Sequence, residues 1–200
     1  MIEPLHPDRL ILKTKRLTIA PLRMSDLDLV QRLLCDADVM HYVTGEAETP
    51  EAVKRNLPNA VRRGAGGRIG FWSISDNATG SKIGDVILMP VPIDQDDYDF
   101  ELLVPDAYPD AKIEVGYLLV PQAWGRGIAT EACARLLRFA FEETPLTEIF
   151  ATTDPDNKKS QNVLRKCGLH AIGKRRAYAW DDVDWFQVTR TEWHVKGTRS

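Results

Sequence analysis

Between the run Ile113-Glu114-Val115-Gly116-Tyr117-Leu118-Leu119-Val120 and apolar residues at helical spacing lies Gln122-Ala123-Trp124-Gly125-Arg126-Gly127-Ile128-Ala129. The first run reads as a buried strand, and residues 126–142 read as an amphipathic helix. Two glycines at such a junction let the backbone come close to a ligand, while the first N–H groups of the helix have no partner within it. Strand, glycine turn and helix together make a seat for a phosphate group, above all a pyrophosphate.

Which phosphate ligand sits there is narrowed by what the chain lacks. No G-x-x-x-x-G-K-S/T string is present, so a P-loop is excluded. A dinucleotide fingerprint wants a third glycine where Thr130 stands. Asp154 would have to be the ribose acid, yet the chain before the turn reads as helices and antiparallel hairpins. An NAD(P)-dependent oxidoreductase is therefore a minor alternative, and a purely structural turn is another.

The remaining segments outline one α+β domain with a central mixed sheet. Residues 1–12 are expected as a loose N-terminal arm and 13–195 as the domain. Arg16 to Leu22 alternates as a strand, and Ser25-Asp26-Leu27-Asp28 carries an S-x-x-D capping signature before a helix. Thr49-Pro50-Glu51 opens a second helix, with Pro58 predicting a kink or early stop. Strands at 71–75 and 82–89 flank a turn at Asp76–Gly80. The acidic stretch 94–110 has no Lys or Arg and reads mostly as a solvated loop. A strand at 148–153, a helix from Asn157 to Cys167 stopped by Gly168, and strands near 169–174 and 184–193 complete the chain, the last two joined by a turn containing Asp181-Asp182.

Bulk properties exclude several classes. A formal net charge of −3 makes no electrostatic case for nucleic acid. No run approaches the roughly 18 apolar residues of a membrane span, and the first residues lack a secretory signal pattern. The three cysteines, Cys35, Cys133 and Cys167, match neither a disulfide framework nor a metal site, and read as buried thiols of a cytoplasmic protein. The four histidines show no metal-ligand spacing, so no metal is expected.

Gln122-x-x-Gly125-x-Gly127-x-Ala129 resembles the Q/R-x-x-G-x-G/A acyl-CoA signature of the GNAT superfamily of N-acetyltransferases. Glu114-Val115-Gly116-Tyr117, Gly125 to Ala132, Asn157-Lys158-Lys159-Ser160 and Val163 to Leu169 resemble its branch of ribosomal-protein N-terminal alanine acetyltransferases. Arg165 and Leu169 depart from that branch, which often has Glu and Phe there. The resemblance implies a single GNAT-like domain: a mostly antiparallel sheet flanked by helices and splayed where acetyl-CoA binds.

It also implies roles for particular residues. The N–H groups from Gln122 through Trp124, Gly125, Arg126, Gly127, Ile128 and Ala129 would hold the pyrophosphate, with the Arg126 charge and the Thr130 hydroxyl nearby. The edge at Leu118, Leu119 and Val120 would pair with the pantetheine arm and aim one N–H at the thioester oxygen. Glu114 is the candidate general base, directly or through water; the other reading of it is a structural carboxylate. Ser160 is the candidate donor to the CoA sulfur, with Tyr178 as the alternative, and Asn157 the candidate ligand of the pantetheine amide. Asn157 and Ser160 equally suit helix-start duties. Glu131 reads as a brace for the turn. His41 and Tyr42 fall in a segment that lines the acceptor site of this fold, although packing is the plainer role for each.

The acceptor segments carry Asp36, Asp38, Glu46, Glu48, Asp181, Asp182 and Asp184 against Lys174, Arg175 and Arg176. An acidic rim suits a cationic amine. The expected partners are acetyl-CoA and a primary amine, in a monomer or homodimer, with a catalytically silent acyl-CoA-binding module as the alternative.

Overall fold

The computed structural model describes residues 2–197. Its strands are β1 (Leu12–Lys13), β2 (Leu17–Pro21), β3 (Gly70–Asp76), β4 (Lys82–Pro90), β5 (Ile113–Leu119), β6 (Glu148–Thr153), β7 (His170–Ala177) and β8 (Trp180–Thr189). The helices are α1 (Leu27–Leu34), α2 (Ala37–Met40), α3 (Pro50–Ala60), α4 (Ile128–Glu143), α5 (Lys158–Lys166) and α6 (Arg190–Gly197). One sheet runs β1-β2-β3-β4-β5-β6-β8-β7. Among the described residues no helix is long and apolar enough to cross a membrane.

Every neighbouring pair is antiparallel except β5–β6. That pair is also the weakest. β4 and β5 stay in register from Gly84↔Leu119 to Pro90↔Ile113, whereas β5 and β6 register only at Glu114↔Phe150. The sheet therefore splays beyond Glu114, toward the end of β5 that leads into the glycine turn.

Packing explains which elements hold this split sheet. α4 buries Ile128, Ala132, Cys133, Leu136, Leu137, Phe139, Ala140 and Phe141 against the core and lies on β4 and β5. A fully buried large apolar side chain contributes about 1.5–3 kcal/mol. That stripe anchors α4, so its N-terminus keeps its place beside the end of β5. A second cluster, Leu22, Val30, Val53 and Leu57 with Phe71, binds α1 and α3 to the sheet.

Several local expectations need correction. The N-terminal dozen residues are not loose: Leu5, Leu10 and Leu12 are buried, Leu5 N donates to Gly66 O at 2.9 Å, and Trp72 Nε1 donates to Leu10 O at 3.0 Å. Ser25 is exposed and does not cap α1; the buried Asp26 accepts from Arg23 N at 3.1 Å and pairs with Lys82. α3 runs through Pro58 and ends at Ala60, with Val61 N still bonded to Leu57 O at 3.1 Å.

The last hairpin turns at Tyr178–Ala179, not at Asp181-Asp182, which lie in β8, and the chain becomes helical at Arg190. Tyr178 and Ala179 have φ of 53° and 58°, a costly conformation for side-chain-bearing residues. The turn is held from outside, by Tyr178 N to Pro92 O at 2.8 Å and Ala179 N to Ile93 O at 3.3 Å. Those bonds are tertiary, which is why local turn chemistry does not reveal them.

Candidate active site

The glycine turn is a short 3-10 helix, Pro121–Ala123, followed by Trp124, Gly125 and Arg126, with Gly127 as the N-cap of α4. Gly127 has φ of 74°, and no side chain caps the helix. The first bond along it is Glu131 N to Gly127 O at 3.1 Å, so the N–H groups of Ile128, Ala129 and Thr130 have no carbonyl within the helix. Gln122, Gly125, Arg126 and Gly127 are exposed, as is Trp124 at 40%, whereas Ile128 is buried.

The turn is braced from the N-terminal segment. Arg16 Nη1 donates to Arg126 O at 2.8 Å and its Nε to Glu131 Oε2 at 2.6 Å, while Thr14 Oγ1 donates to Glu131 Oε1 at 2.5 Å. Burial alone would raise the Glu131 pKa; the Thr14 and Arg16 bonds outweigh it and hold the carboxyl below its usual range. Glu131 thus acts as the brace expected of it, through an arginine that local sequence does not single out. The Arg126 guanidinium turns aside to Asp76 Oδ2, 3.3 Å away on the β3–β4 turn.

The two edges of β5 differ in what they offer. Leu118 N donates to Asp85 Oδ1 at 3.1 Å and Val120 N to Ile83 O at 3.0 Å, so both amides face β4. By strand alternation the Leu119 amide faces the splayed side, where Leu119 O accepts Trp124 Nε1 at 2.8 Å. Of the three expected pantetheine-facing residues, Leu119 alone turns its backbone groups that way. β4 and β5 also approach closely here, since a Cβ on Gly84 would stand 2.3 Å from Leu118 O. Burial pushes the Asp85 carboxyl up to about 7, against the opposing effect of the Leu118 N–H.

At the splay point Glu114 is 2% exposed. It accepts from Thr152 Oγ1 at 2.8 Å, from Tyr98 OH at 3.2 Å and from Tyr178 OH, and Tyr178 OH also reaches Tyr98 OH at 2.7 Å. Among the described residues no cation pairs with Glu114. Burial raises its pKa, and the hydroxyl donors offset only part of the rise. Tyr98 comes from the acidic stretch, which is more than a solvated loop: its ring packs on Phe71 at 5.8 Å and Phe100 at 6.4 Å, and Leu103 is buried. Arg176 ties Asp94 of the same stretch to the β7–β8 hairpin at 2.9 Å.

Ser160 lies elsewhere. Tyr117 and Glu114 are three residues apart on β5 and project to opposite faces. Tyr117 OH meets Ser160 Oγ at 3.0 Å and Ser160 O at 3.1 Å, and burial pushes the Tyr117 phenol up. Asn157 caps α5, its Oδ1 accepting from Ser160 N at 3.0 Å. Ser160, Asn157 and Tyr117 thus form one group and Glu114, Tyr178, Tyr98 and Thr152 another. Tyr178, the alternative to Ser160, sits in the Glu114 group.

The expected acceptor rim has internal duties. Asp36 caps α2, Asp181 pairs with Arg176, and Asp184 accepts Gln161 Nε2 at 3.1 Å. His41 and Tyr42 are exposed and pack on each other at 4.4 Å. The cysteines are free thiols; Cys133 and Cys167 are buried and Cys35 is half-buried.

The family model described as an acetyltransferase (GNAT) domain matches residues 16–170. The chain belongs to the GNAT acetyltransferase family. It is an N-acetyltransferase, and the family match sets the oxidoreductase alternative aside. An uncharacterized Bacillus subtilis protein, YkkB, is 31% identical over 141 residues, covering 69% of this chain and 72% of its own. The FsC-acetyl coenzyme A-N(2)-transacetylase of Aspergillus fumigatus is 28% identical over 158 residues, covering 79% of this chain and 64% of that protein, less than two thirds of its length. Spermidine N-acetyltransferase from Vibrio cholerae, solved with CoA and spermine, shares the fold with a TM-score of 0.68 at 18% identity, over 90% of this chain and 99% of that one.

Proposed function

We propose that this GNAT acetyltransferase moves an acetyl group from acetyl-CoA to a primary amine, either a protein N-terminus or a small cationic amine, by direct attack in a ternary complex. One observation carries the reading: a buried carboxylate with raised basicity, Glu114, sits where β5 parts from β6, on the strand that ends in the uncapped turn.

Uncapped N–H groups at the start of α4, glycines in the left-handed region and a strand edge opened by the splay fit a CoA pyrophosphate and pantetheine. The Gln122–Thr130 turn would hold the pyrophosphate, Leu119 the pantetheine edge, and Asn157 the pantetheine amide through its side-chain nitrogen. Acetyl-CoA, when bound, supplies an acyl thioester. Glu114 takes the proton that an ammonium must lose before it has a lone pair to attack with. The Tyr117–Ser160 pair, kept protonated by burial of the phenol, offers a proton on the opposite face of β5.

Support for a cationic acceptor comes from the acidic stretch 94–110, whose Tyr98 reaches Glu114, and from the spermidine named for the Vibrio protein of the same fold. The test is a thiol-release assay with acetyl-CoA against N-terminal peptides, polyamines and aminoglycosides. Turnover with one class is the expected result. Tight CoA binding without turnover on any amine would identify a silent binding module.

A further inference from the structure

On the β3–β4 side of the turn lies a cavity of about 370 Å³ lined by Lys15, Arg16, Asp76, Asn77, Arg126 and Ile128. Three cations face it against one carboxylate. Arg16 is already engaged with Glu131 at 2.6 Å, and Arg126 with Asp76 at 3.3 Å, a separation longer than a close charge-assisted bond. Lys15 is exposed and has no ion pair among the described residues. The cavity therefore holds one unmatched cation and one loosely matched guanidinium, arranged for a small anion.

Its position says which anion. Arg126 belongs to the glycine turn, Ile128 opens α4, and Arg16 fixes the turn through Arg126 O. The cavity is thus continuous with the seat of the pyrophosphate. In coenzyme A the next phosphate is one ribose away, on its 3′ oxygen. We propose that this cavity receives the 3′-phosphate of coenzyme A, with Lys15 and Arg126 as its ligands and Arg16 as the fixed cation behind them. The assignment rests on the reading of the turn as the pyrophosphate site. It makes Lys15 and Arg126 the residues that distinguish coenzyme A from dephospho-coenzyme A, which lacks that one group.

Calorimetric titration of the full chain with both compounds tests it. The parent protein binds coenzyme A about tenfold or more tighter than dephospho-coenzyme A. Lys15→Gln and Arg126→Gln each bring the ratio toward one by weakening coenzyme A. In Lys15→Gln the dephospho-coenzyme A affinity stays within about twofold. Lys159→Gln serves as the control, because Lys159 flanks the turn from α5, with its Nζ 5.8 Å from the Trp124 ring centre. Equal binding of the two compounds by the parent protein overturns the inference and leaves the pyrophosphate reading intact. Collapse of the ratio in Lys159→Gln rather than Lys15→Gln overturns it as well, by moving the phosphate to the α5 side. Binding of neither compound overturns both readings together.

Discussion

Strand β5 presents two faces built on opposite plans. On one, Tyr117 meets Ser160 and the capped start of α5, so strand and helix supply the contacts. On the other, Glu114 is enclosed by Tyr98 from the acidic stretch, Tyr178 from the last hairpin and Thr152 from β6. On the proposed reading, the first face, with the turn at its end, would frame the acetyl-CoA that the family uses. The second adds a loop and a hairpin turn to strand β6, and loops are where acceptor choice is free to vary. On that reading the two faces serve donor and acceptor, so a substitution in one should leave the other's readout alone.

The largest effect should come from Glu114→Gln, which keeps the shape and removes the base. Turnover should fall by about 10²–10⁴-fold, with CoA affinity within about twofold. A rate unchanged across about pH 6 to 9 would show instead that Glu114 only ties loop and hairpin to the sheet, as its three hydroxyl donors would also allow. Gly127→Ala tests the other half. It places a side chain at φ 74°, at a cost of about 1–3 kcal/mol, and should weaken CoA binding roughly tenfold while the pH profile keeps its shape.

A subtler prediction concerns Tyr98→Phe. It removes a hydroxyl that lowers the Glu114 pKa, so the acid limb of kcat/KM should move to higher pH, with a rate loss of only about two- to fivefold at the plateau. An acid limb that stays in place would show that Tyr98 does not act on the titrating group.

The smallest effect is on stability. Asp85 has its pKa raised to about 7 in the folded protein. A raised carboxyl contributes stability below its unfolded value, and that contribution is lost as pH rises through the folded one. Asp85→Asn keeps an acceptor for Leu118 N–H and cannot ionise. It should raise Tm by a few degrees at about pH 8 and by progressively less as pH falls toward about 4, given about 2–4 °C per kcal/mol in a domain of this size. An equal shift at both pH values in thermal melts would count against ionisation as the cause.

Much of the first half of the comparison was legible in the chain itself. Strand, glycine turn and α4 follow from hydrophobic periodicity and from glycines at fixed offsets, and the Asn157–Ser160 string marks the start of α5. The N-terminal arm, by contrast, is interrupted by Pro4 and Pro7 and its apolar residues show no period, yet Leu5, Leu10 and Leu12 reach the core. The hairpin turn was displaced because Tyr178 and Ala179 lack turn chemistry and are held by Pro92 and Ile93. Arg16 as the brace of the turn, and Tyr98 and Thr152 as partners of Glu114, carry no local signal.

What the sequence determined by itself is the local code: which stretches alternate, which repeat at 3.6, and where the backbone must be free to take positive φ. It therefore specified the glycine turn before α4, while the family shows in the motif strings on that turn and on α5. Only the tertiary structure decided that β5 zips to β4 and parts from β6, that Leu119 and not Leu118 faces the gap, and that Glu114 and Ser160 stand on opposite faces. Those outcomes depend on strand order and register, which are set by the packing of helices and loops far apart in the chain.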